Sequence, residues 1–493
     1  MAKSKEKVLS KRVFKIIAQF IRSNIDLIFL VLFSSFFFLW GLGKTYLTNW
    51  DEAWYAGISR NMLIRHDFIV PFWNGAPYFD KGPLYHWLSV IAFQFTRNWE
   101  LSARFPAAFA SIGSVVLAYW LAKTLFNRKV AIVAGLILSS TIGFLYRGRT
   151  GNLDSLSKFF ILLSFLSIFL GRKNQKFFLL FGISLGLLFL VKSGLIFYPL
   201  LVISVFILWE RNFRLLKNTF FLGGIFIGLL IAGSWLFLGA VLAGKSFIDF
   251  YFNPLFWFFL KFGSVSDAPS QFSTNYILYL LYSAKVWFLV FIPAVLFALT
   301  QIFKDKSFFF LILAFVPFFL VLLGVKDAGD WYLVPLNSIF AIISAAFIVK
   351  IQEKVSNKKA VAIALIIVVF SLSLLQNIRY HSSFIVPESV KDEVELAMIA
   401  KGLTGPKETI IVDDYNFPVA SFYSERKIKV LRREARDTNL VISKNTYYRL
   451  LQNSQKVVIL TTPENMQITK NDLKDVRFHT IKQFKDHLLI EKP

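Results

Sequence analysis

The amino-acid sequence predicts a polytopic α-helical membrane protein with a small C-terminal α/β extracytoplasmic domain. Three observations carry that prediction. The 493 residues are 56% hydrophobic, with a mean hydropathy of +0.57, whereas a soluble domain is roughly 45–50% apolar. Apolar runs recur from residue 26 to residue 376, and a membrane span needs about 20 mostly apolar residues. Beyond Tyr380 the long runs stop and charges of both signs become dense.

Composition also excludes. Aromatic residues make up 17% of the chain, led by 57 Phe, which rules out a disordered or wholly soluble protein. The net charge of +25 would point to nucleic acid in a soluble domain. Interleaved with spans it is topological, and no nucleic-acid partner is expected. Without Cys there are no disulfides, thiolate metal sites or cysteine nucleophiles. Five His do not suggest a histidine-rich metal centre. The first apolar run is too long for a cleavable signal peptide and lacks a small-residue cleavage site.

Taken in order, the spans fall at 26–43, 103–122, 130–146, 155–171, 177–192, 194–209, 219–241, 275–302, 308–324, 332–349 and 360–376. That is eleven, with room for two more in 44–102 or 242–274, which would leave the sidedness unchanged. Residues 1–379 form the transmembrane domain, with a first outer loop at 44–102, and residues 380–493 form the α/β domain. In that tail, 410–412 (IIV) and 456–460 (KVVIL) read as buried strands, and 389–402 and 443–452 as helices. The N-terminal basic cluster (Lys3 to Arg22) and those at Lys123–Lys129, Arg172–Lys176, Arg211–Lys217, Lys304–Lys306 and Lys350–Lys359 all fall on one face. The positive-inside rule makes that face cytoplasmic.

The other face concentrates the residues able to do chemistry. Asp51 and Glu52 follow the first span. Desolvating two adjacent carboxylates is costly, so they are either a general base or cation-binding pair or the solvated cap of the helix that follows. Asp80-Lys81-Gly82-Pro83 offers a point charge for a phosphate or a lysine snorkelling in an aromatic belt. His86, on the apolar run beyond, reads as a packed ring. Arg147, Arg149 and Asp154 lie in a hairpin; Asp154 at a span start needs a partner. Pairing with Arg149 supplies one, and the alternative has the arginines facing an anionic headgroup. Lys192 sits between two apolar stretches as a topological stop or a functional cation, and the positive-inside bias argues against the stop. Lys326, with Asp330, Trp331 and Tyr332, is a belt anchor or a substrate contact. Together these cations suit a lipid phosphate, and a carboxylate beside them suits deprotonation of a hydroxyl. Gly182 and Gly186 are a packing signal. No nucleotide-binding loop accompanies the cluster, so any group transfer would draw on a lipid-linked donor.

Residues 49–88 (NWDEAWYAGISRNMLIRHDFIVPFWNGAPYFDKGPLYHWL) resemble the first outer loop of GT-C glycosyltransferases. The branch is that of protein O-mannosyltransferases and the aminoarabinose–lipid A transferase. The family's acidic dyad falls on Asp51-Glu52 and its acidic-Lys-Pro turn on Asp80-Lys81-Gly82-Pro83. Its R-x-x-x-x-D segment falls on 147–154, its T-K-G-P element on 191–194, and its K-x-x-x-Y-L-L-P element on Lys326 to Pro335. Its F-Y-x-x-R piece falls on Ser421 to Arg426. The chain departs from the family in three ways. Thirteen spans are usual there, Gly82 replaces a common proline, and 251–254 (YFNP) lacks a Glu-His pair frequent in bacterial relatives.

The resemblance implies a GT-C fold of 11–13 spans and a polyprenyl-phosphate sugar donor in a groove open to the outer leaflet. Lys81, Arg149, Lys192 and Lys326 would hold its phosphate. Asp51 would be the base on an acceptor hydroxyl, or would position an acceptor phosphate. Glu52 and Asp154 would orient the reactants, and Asp80, Arg147 and Tyr332 would contact substrate. The sugar carbon would be attacked in line, with inversion. No cofactor or metal is required; Asp51, Glu52 and Asp154 are compatible with a divalent cation. The acceptor is a lipid A-type glycolipid, since the tail shows no peptide-binding module, or alternatively a protein hydroxyl. The site would face outward from the cytoplasmic (inner) membrane, among membrane lipids. A flippase for lipid-linked sugars is the reading from another class. It predicts charges deep in several spans and repeat symmetry, neither of which the sequence shows clearly. A structural membrane protein would leave Asp51 and Lys81 unexplained.

Overall fold

A computed structural model describes residues 19, 21–47, 50–252, 275–324, 329–356, 358–381, 388–413, 415–453 and 456–493. The membrane part is built of α1 (Ile25–Leu39), α2 (Trp50–Arg65), a hairpin of β1 (Phe72–Trp73) and β2 (Ala76–Pro77), α3 (Leu84–Thr96), α4 (Trp99–Leu125), α5 (Arg128–Ser140), α6 (Ile142–Arg149), α7 (Asp154–Gly171), α8 (Leu179–Lys192), α9 (Phe197–Glu210), α10 (Thr219–Ala243), α11 (Lys245–Phe252), α12 (Asn275–Ala284), α13 (Val286–Gln301), α14 (Lys306–Leu323), α15 (Asn337–Val355) and α16 (Lys359–His381). Asn side chains cap the helix starts where spans begin. Asn98 accepts from the Leu101 N–H, Asn127 from Val130 and Asn218 from Phe220 and Phe221.

Among the described residues seven helices are long and apolar enough to cross a membrane, or nine if two bent pairs, α5–α6 (63°) and α12–α13 (117°), are each one span. One of the seven, Gln175–Glu210, is 36 residues long and would reach about 54 Å if straight. It does not run straight: Arg172, just before it, pairs with Glu210 at its far end, while Lys192 at its middle pairs with Asp154 at the opposite end of α7. The chain therefore turns back at the 3-10 turn Ser193–Ile196, and α8 and α9 cross separately. Counting this hairpin and the short apolar α1, the described helices follow the eleven runs of the sequence.

The two ends of the bundle differ chemically. One gathers Asp26–Arg128 (2.7 Å), Lys129–Glu353 (3.3 Å), Arg172–Glu210 and Lys306–Glu210 (3.6 Å). This is the basic end that the charge pattern predicts, although the N-terminal lysines before Arg22 lie outside the described residues. The other end carries α2, the β1–β2 hairpin and α3. Position in the bundle follows composition: α7 is 83% buried along its apolar window and α10 only 17%, so Phe226, Leu229 and Phe237 of α10 face outward. Where α10 does pack, on α8, there is no room for side chains. A Cβ on Gly182 would fall on the Gly224 carbonyl, and one on Gly186 on that of Gly228.

The tail comprises α17 (Glu388–Leu403), β3 (Thr409–Val412), α18 (Phe417–Ser424), β4 (Lys427–Leu431), β5 (Val441–Ile442), α19 (Lys444–Asn453), β6 (Val457–Thr461), α20 (Pro463–Asp472), β7 (His479–Gln483) and β8 (Leu488–Lys492). Its sheet runs β5-β4-β3-β6-β8-β7, parallel from β5 to β6 and antiparallel through β8 and β7. Side chains alternate across it. Ile410 and Val412 pack with Ala400 and Phe417 on one face, and Ile411 with Tyr447, Leu451 and Met466 on the other.

The sheet domain sits on the first loop. Tyr423 accepts from the Leu47 N–H (2.8 Å) and donates to Glu100 (3.1 Å). The β1–β2 turn takes positive φ at Asn74 (51°) and Gly75 (83°), as an Asn-Gly hairpin requires. Asn74 then exchanges two hydrogen bonds with Ile428 on β4. Phe417 closes an aromatic box with Trp50, Trp54 and Trp73, its ring 4.3 Å from that of Trp50.

Candidate active site

The carboxylate pair at the start of α2 separates into two environments. Glu52 is fully buried and forms a fork with Arg104 of α4 at 2.8 and 3.1 Å. It also accepts the Gly151 N–H (2.8 Å). Arg104 spends its remaining hydrogens on the carbonyls of Leu42, Thr45 and Tyr46 and on the Thr45 hydroxyl. Glu52 thus ties α2 to α4 and to the 150–154 turn, and no oxygen faces a cleft.

Asp51 lies on the other side of the same turn, with 31% of its side chain exposed. Burial raises its pKa above the usual carboxylate value and the charge of Asp154 adds to this; Arg147, Lys192 and Lys81 pull the other way. Those opposing charges define the cluster. Arg147, at the end of α6, reaches Asp51 (3.9 Å) and Asp330 (3.2 Å) and stacks on the Trp331 ring (5.1 Å). Asp154, 4% exposed at the start of α7, pairs with Lys192 at 2.9 Å. Lys192 in turn lies 4.8 Å from the Tyr332 ring. Lys81 pairs with Asp80 (2.6 Å), which also accepts from Tyr78 (3.3 Å). The Lys81 loop reaches this depth because residue 82 is glycine: a Cβ there would fall on the Leu190 carbonyl of α8. The proline usual in the resembled family would clash.

Six of the ten residues expected from sequence therefore form one constellation: Asp51, Asp80, Lys81, Arg147, Asp154 and Lys192, with Tyr332 beside Lys192. Two stand elsewhere. Glu52 is locked into the Arg104 clamp. Arg149 does not pair with Asp154; it donates to the carbonyls of Phe37 and Trp40 (2.6 and 2.9 Å) and to that of Phe38, capping α1. Its place beside Asp154 is taken by Lys192, whose helix runs antiparallel to α7. Lys326 lies outside the described residues, as does the 253–254 pair. His86 is packed, bonded to Ser59 (3.0 Å) against Tyr55 and Tyr85. Among the described residues no three His, Asp or Glu are placed to hold a metal ion. Sequence reasoning missed Arg104, whose signal was a lone arginine early in an apolar run, and Phe417, which no local pattern ties to Trp50. The F-Y-x-x-R piece is a joint: Tyr423 docks the tail, and Arg426 caps α17 through the carbonyls of Lys401 and Thr404.

The family model for dolichyl-phosphate-mannose-protein mannosyltransferases matches residues 80–237. The chain is 28% identical over 265 residues to the undecaprenyl phosphate-alpha-4-amino-4-deoxy-L-arabinose arabinosyl transferase of Aeromonas hydrophila, covering 49% of this chain and 48% of that one. To the enzyme of the same name from Yersinia pestis it is 26% identical over 373 residues, covering 71% and 66%. The chain thus spans just under half to just under two thirds of the length of these curated relatives. Among solved structures, ArnT from Cupriavidus metallidurans bound to undecaprenyl phosphate matches with a TM-score of 0.76 at 15% identity, over 95% of this chain and 98% of that one. The oligosaccharyltransferase of Archaeoglobus fulgidus matches at 0.60 and 14% identity, over 82% and 64%. These likenesses show the fold: this is an ArnT-like GT-C architecture, as the first loop led us to expect.

Proposed function

We propose that the chain is a multi-pass inner-membrane glycosyltransferase. It moves a sugar from a polyprenyl-phosphate donor to a glycolipid acceptor at the loop end of the bundle, the face turned away from the cytoplasm. The observation that carries this is the placement of Asp51, partly exposed, among Arg147, Lys192 and Lys81.

The chemistry follows from charge. In the donor, the anomeric carbon is bonded to a phosphate oxygen. The acceptor oxygen attacks that carbon as the carbon–phosphate-oxygen bond breaks, and the hydroxyl proton passes to Asp51. A carboxylate whose pKa is raised by burial is a stronger base than an ordinary aspartate. The polyprenyl phosphate that departs gains negative charge, which Lys81, Lys192 and Arg147 stabilise where water is scarce. Asp80 and Asp154 hold the two lysines in place while no donor is bound, and Tyr332 with Trp331 offers aromatic faces for the sugar. Relatives named as undecaprenyl-phosphate aminoarabinose transferases support a bacterial polyprenyl donor and a lipid A-type acceptor. The family model named for protein mannosyltransferases supports a second acceptor, a protein hydroxyl, reached by the same mechanism.

The test is transfer in proteoliposomes. A panel of radiolabelled undecaprenyl-phosphate sugars is offered with membrane glycolipid, for the unaltered chain and Asp51→Asn. Label entering glycolipid, and lost in Asp51→Asn, is the expected result. Label entering protein moves the acceptor; label crossing the bilayer without transfer refutes the enzyme in favour of a flippase.

A further inference from the structure

Lys158 is fully buried in α7, one turn into a membrane-spanning segment. Its Nζ has no hydrogen-bond partner among the described residues and rests 3.0 Å from the centroid of the Phe144 ring. A structural reason for this lysine is hard to find. An unpaired ammonium in an apolar bundle is costly, a cation–π contact offsets only part of that cost, and leucine or methionine would fill the same space at none.

The surroundings supply a use. Asp154 lies one turn back on the same helix. Residues four apart share a face of a helix, so Lys158 and Asp154 lie on one face of α7, one turn apart. An acid followed four residues later by a base is the favoured order for a helical ion pair. In the described state Asp154 is already taken by Lys192 at 2.9 Å. Lys192 cannot turn to a donor phosphate without leaving Asp154, 4% exposed, with a buried charge and one cation fewer.

We propose that Lys158 is the reserve counter-ion of Asp154. When Lys192 turns to the donor phosphate, the Lys158 ammonium leaves the Phe144 ring and takes its place at Asp154. No covalent bond changes; two ion pairs form where one was broken. Lys158 is thereby a positioning residue, acting on donor binding through Asp154 and Lys192. The inference rests on Lys192 being a phosphate-holding residue.

The experiment measures binding of undecaprenyl phosphate to the detergent-purified full chain by tryptophan fluorescence, with thermal stability recorded beside it. Lys192→Met, which should weaken binding, tests the underlying site first. Lys158→Met should then weaken binding about tenfold, the equivalent of about 1.4 kcal/mol, while the melting temperature stays level or rises. Lys158→Arg should restore binding to within about twofold. In an Asp154→Asn background, where no charge is left to compensate, Lys158→Met should change nothing further. Lys158→Leu repeats the test should the methionine variant fold poorly. If Lys192→Met weakens binding and neither Lys158→Met nor Lys158→Leu does, the reserve role is refuted and the site stands. An equal loss in the Asp154→Asn background refutes it too, because the effect is then packing. If Lys192→Met leaves binding unchanged, the phosphate-holding role fails and the reserve role fails with it.

Discussion

Two polar clusters flank the first turn of α2, built from the same residue types one position apart in sequence. Around Glu52 every strong group is matched. The carboxylate has the Arg104 fork and a backbone N–H, and the guanidinium has three carbonyls and a hydroxyl besides. Around Asp51 the pairing is partial and shared: one arginine spans two aspartates at 3.9 and 3.2 Å, and two lysines are held by one carboxylate each. The lesson is that buried charge by itself does not mark a site. A cluster with complete geometry holds helices together, whereas a cluster whose partners can be exchanged for a ligand's atoms can bind one.

Substitutions can break or sharpen this contrast. The largest effect expected is on catalysis. Asp51→Asn should lower the transfer rate by about 10³-fold, within the range for a general base, and leave the melting temperature unchanged. A fall in stability comparable to that of a Glu52 variant would erase the distinction. Next comes Glu52→Gln, which leaves the Arg104 charge buried without its partner and should cost about 3–5 kcal/mol of stability; replacing both by Glu52→Gln with Arg104→Met should recover part of that loss in a denaturation scan. Lys192→Met and Lys81→Met should each cost about 10- to 100-fold in kcat/KM, as expected for charge-assisted contacts of about 1.5–3 kcal/mol to a phosphate. Lys81→Met, at a part-exposed pair, should do so at little cost in stability, whereas Lys192→Met also strips buried Asp154 of its partner and should lower the melting temperature.

Acidity gives a finer probe. Asp51 works as a base only when ionised, and burial raises its pKa. Activity should therefore fall with decreasing pH on a limb above the ordinary value of 3.8. Asp154 contributes to that elevation, so Asp154→Asn should move the limb of the residual activity to lower pH. A limb that does not move would separate the two carboxylates electrostatically. The smallest effect expected is at the joint. Tyr423→Phe removes the hydroxyl that binds Leu47 and Glu100 and should cost about 1 kcal/mol, read as a modest drop in melting temperature.

The span pattern was legible because lipid allows few solutions: an apolar run of the right length in hydrocarbon must be a helix. Even the turn at Ser193 was visible, since Lys192 interrupts two apolar stretches. Partner choice was not legible. That Asp154 takes Lys192 and not Arg149 depends on which helices run antiparallel, a property of the packed bundle and not of the local sequence. The roles of Asp51 and Glu52 could not be told apart for the same reason, because Arg104 arrives from 52 residues away. In the tail, β3 and β6 announced themselves as apolar runs. β7 (HTIKQ) is exposed along its whole length and β4 (KIKVL) is interrupted by lysines, so neither carries the signature of a buried strand. Lys158 was passed over as one polar residue in an apolar helix, where only the structure shows its lack of a partner.

The joint between Tyr423 and the first loop links residues 376 positions apart, and Phe417 reaches back nearly as far to Trp50. During synthesis, helix α2 is made long before the segment that covers it exists. The ionic cluster assembles as the spans insert, but Phe417, the ring that closes the aromatic box beside Asp51, arrives only after every helix of the bundle has been made. Competence is thus acquired late and all at once, and a chain stalled before the sheet domain would sit in the membrane complete in its charges but open on one side.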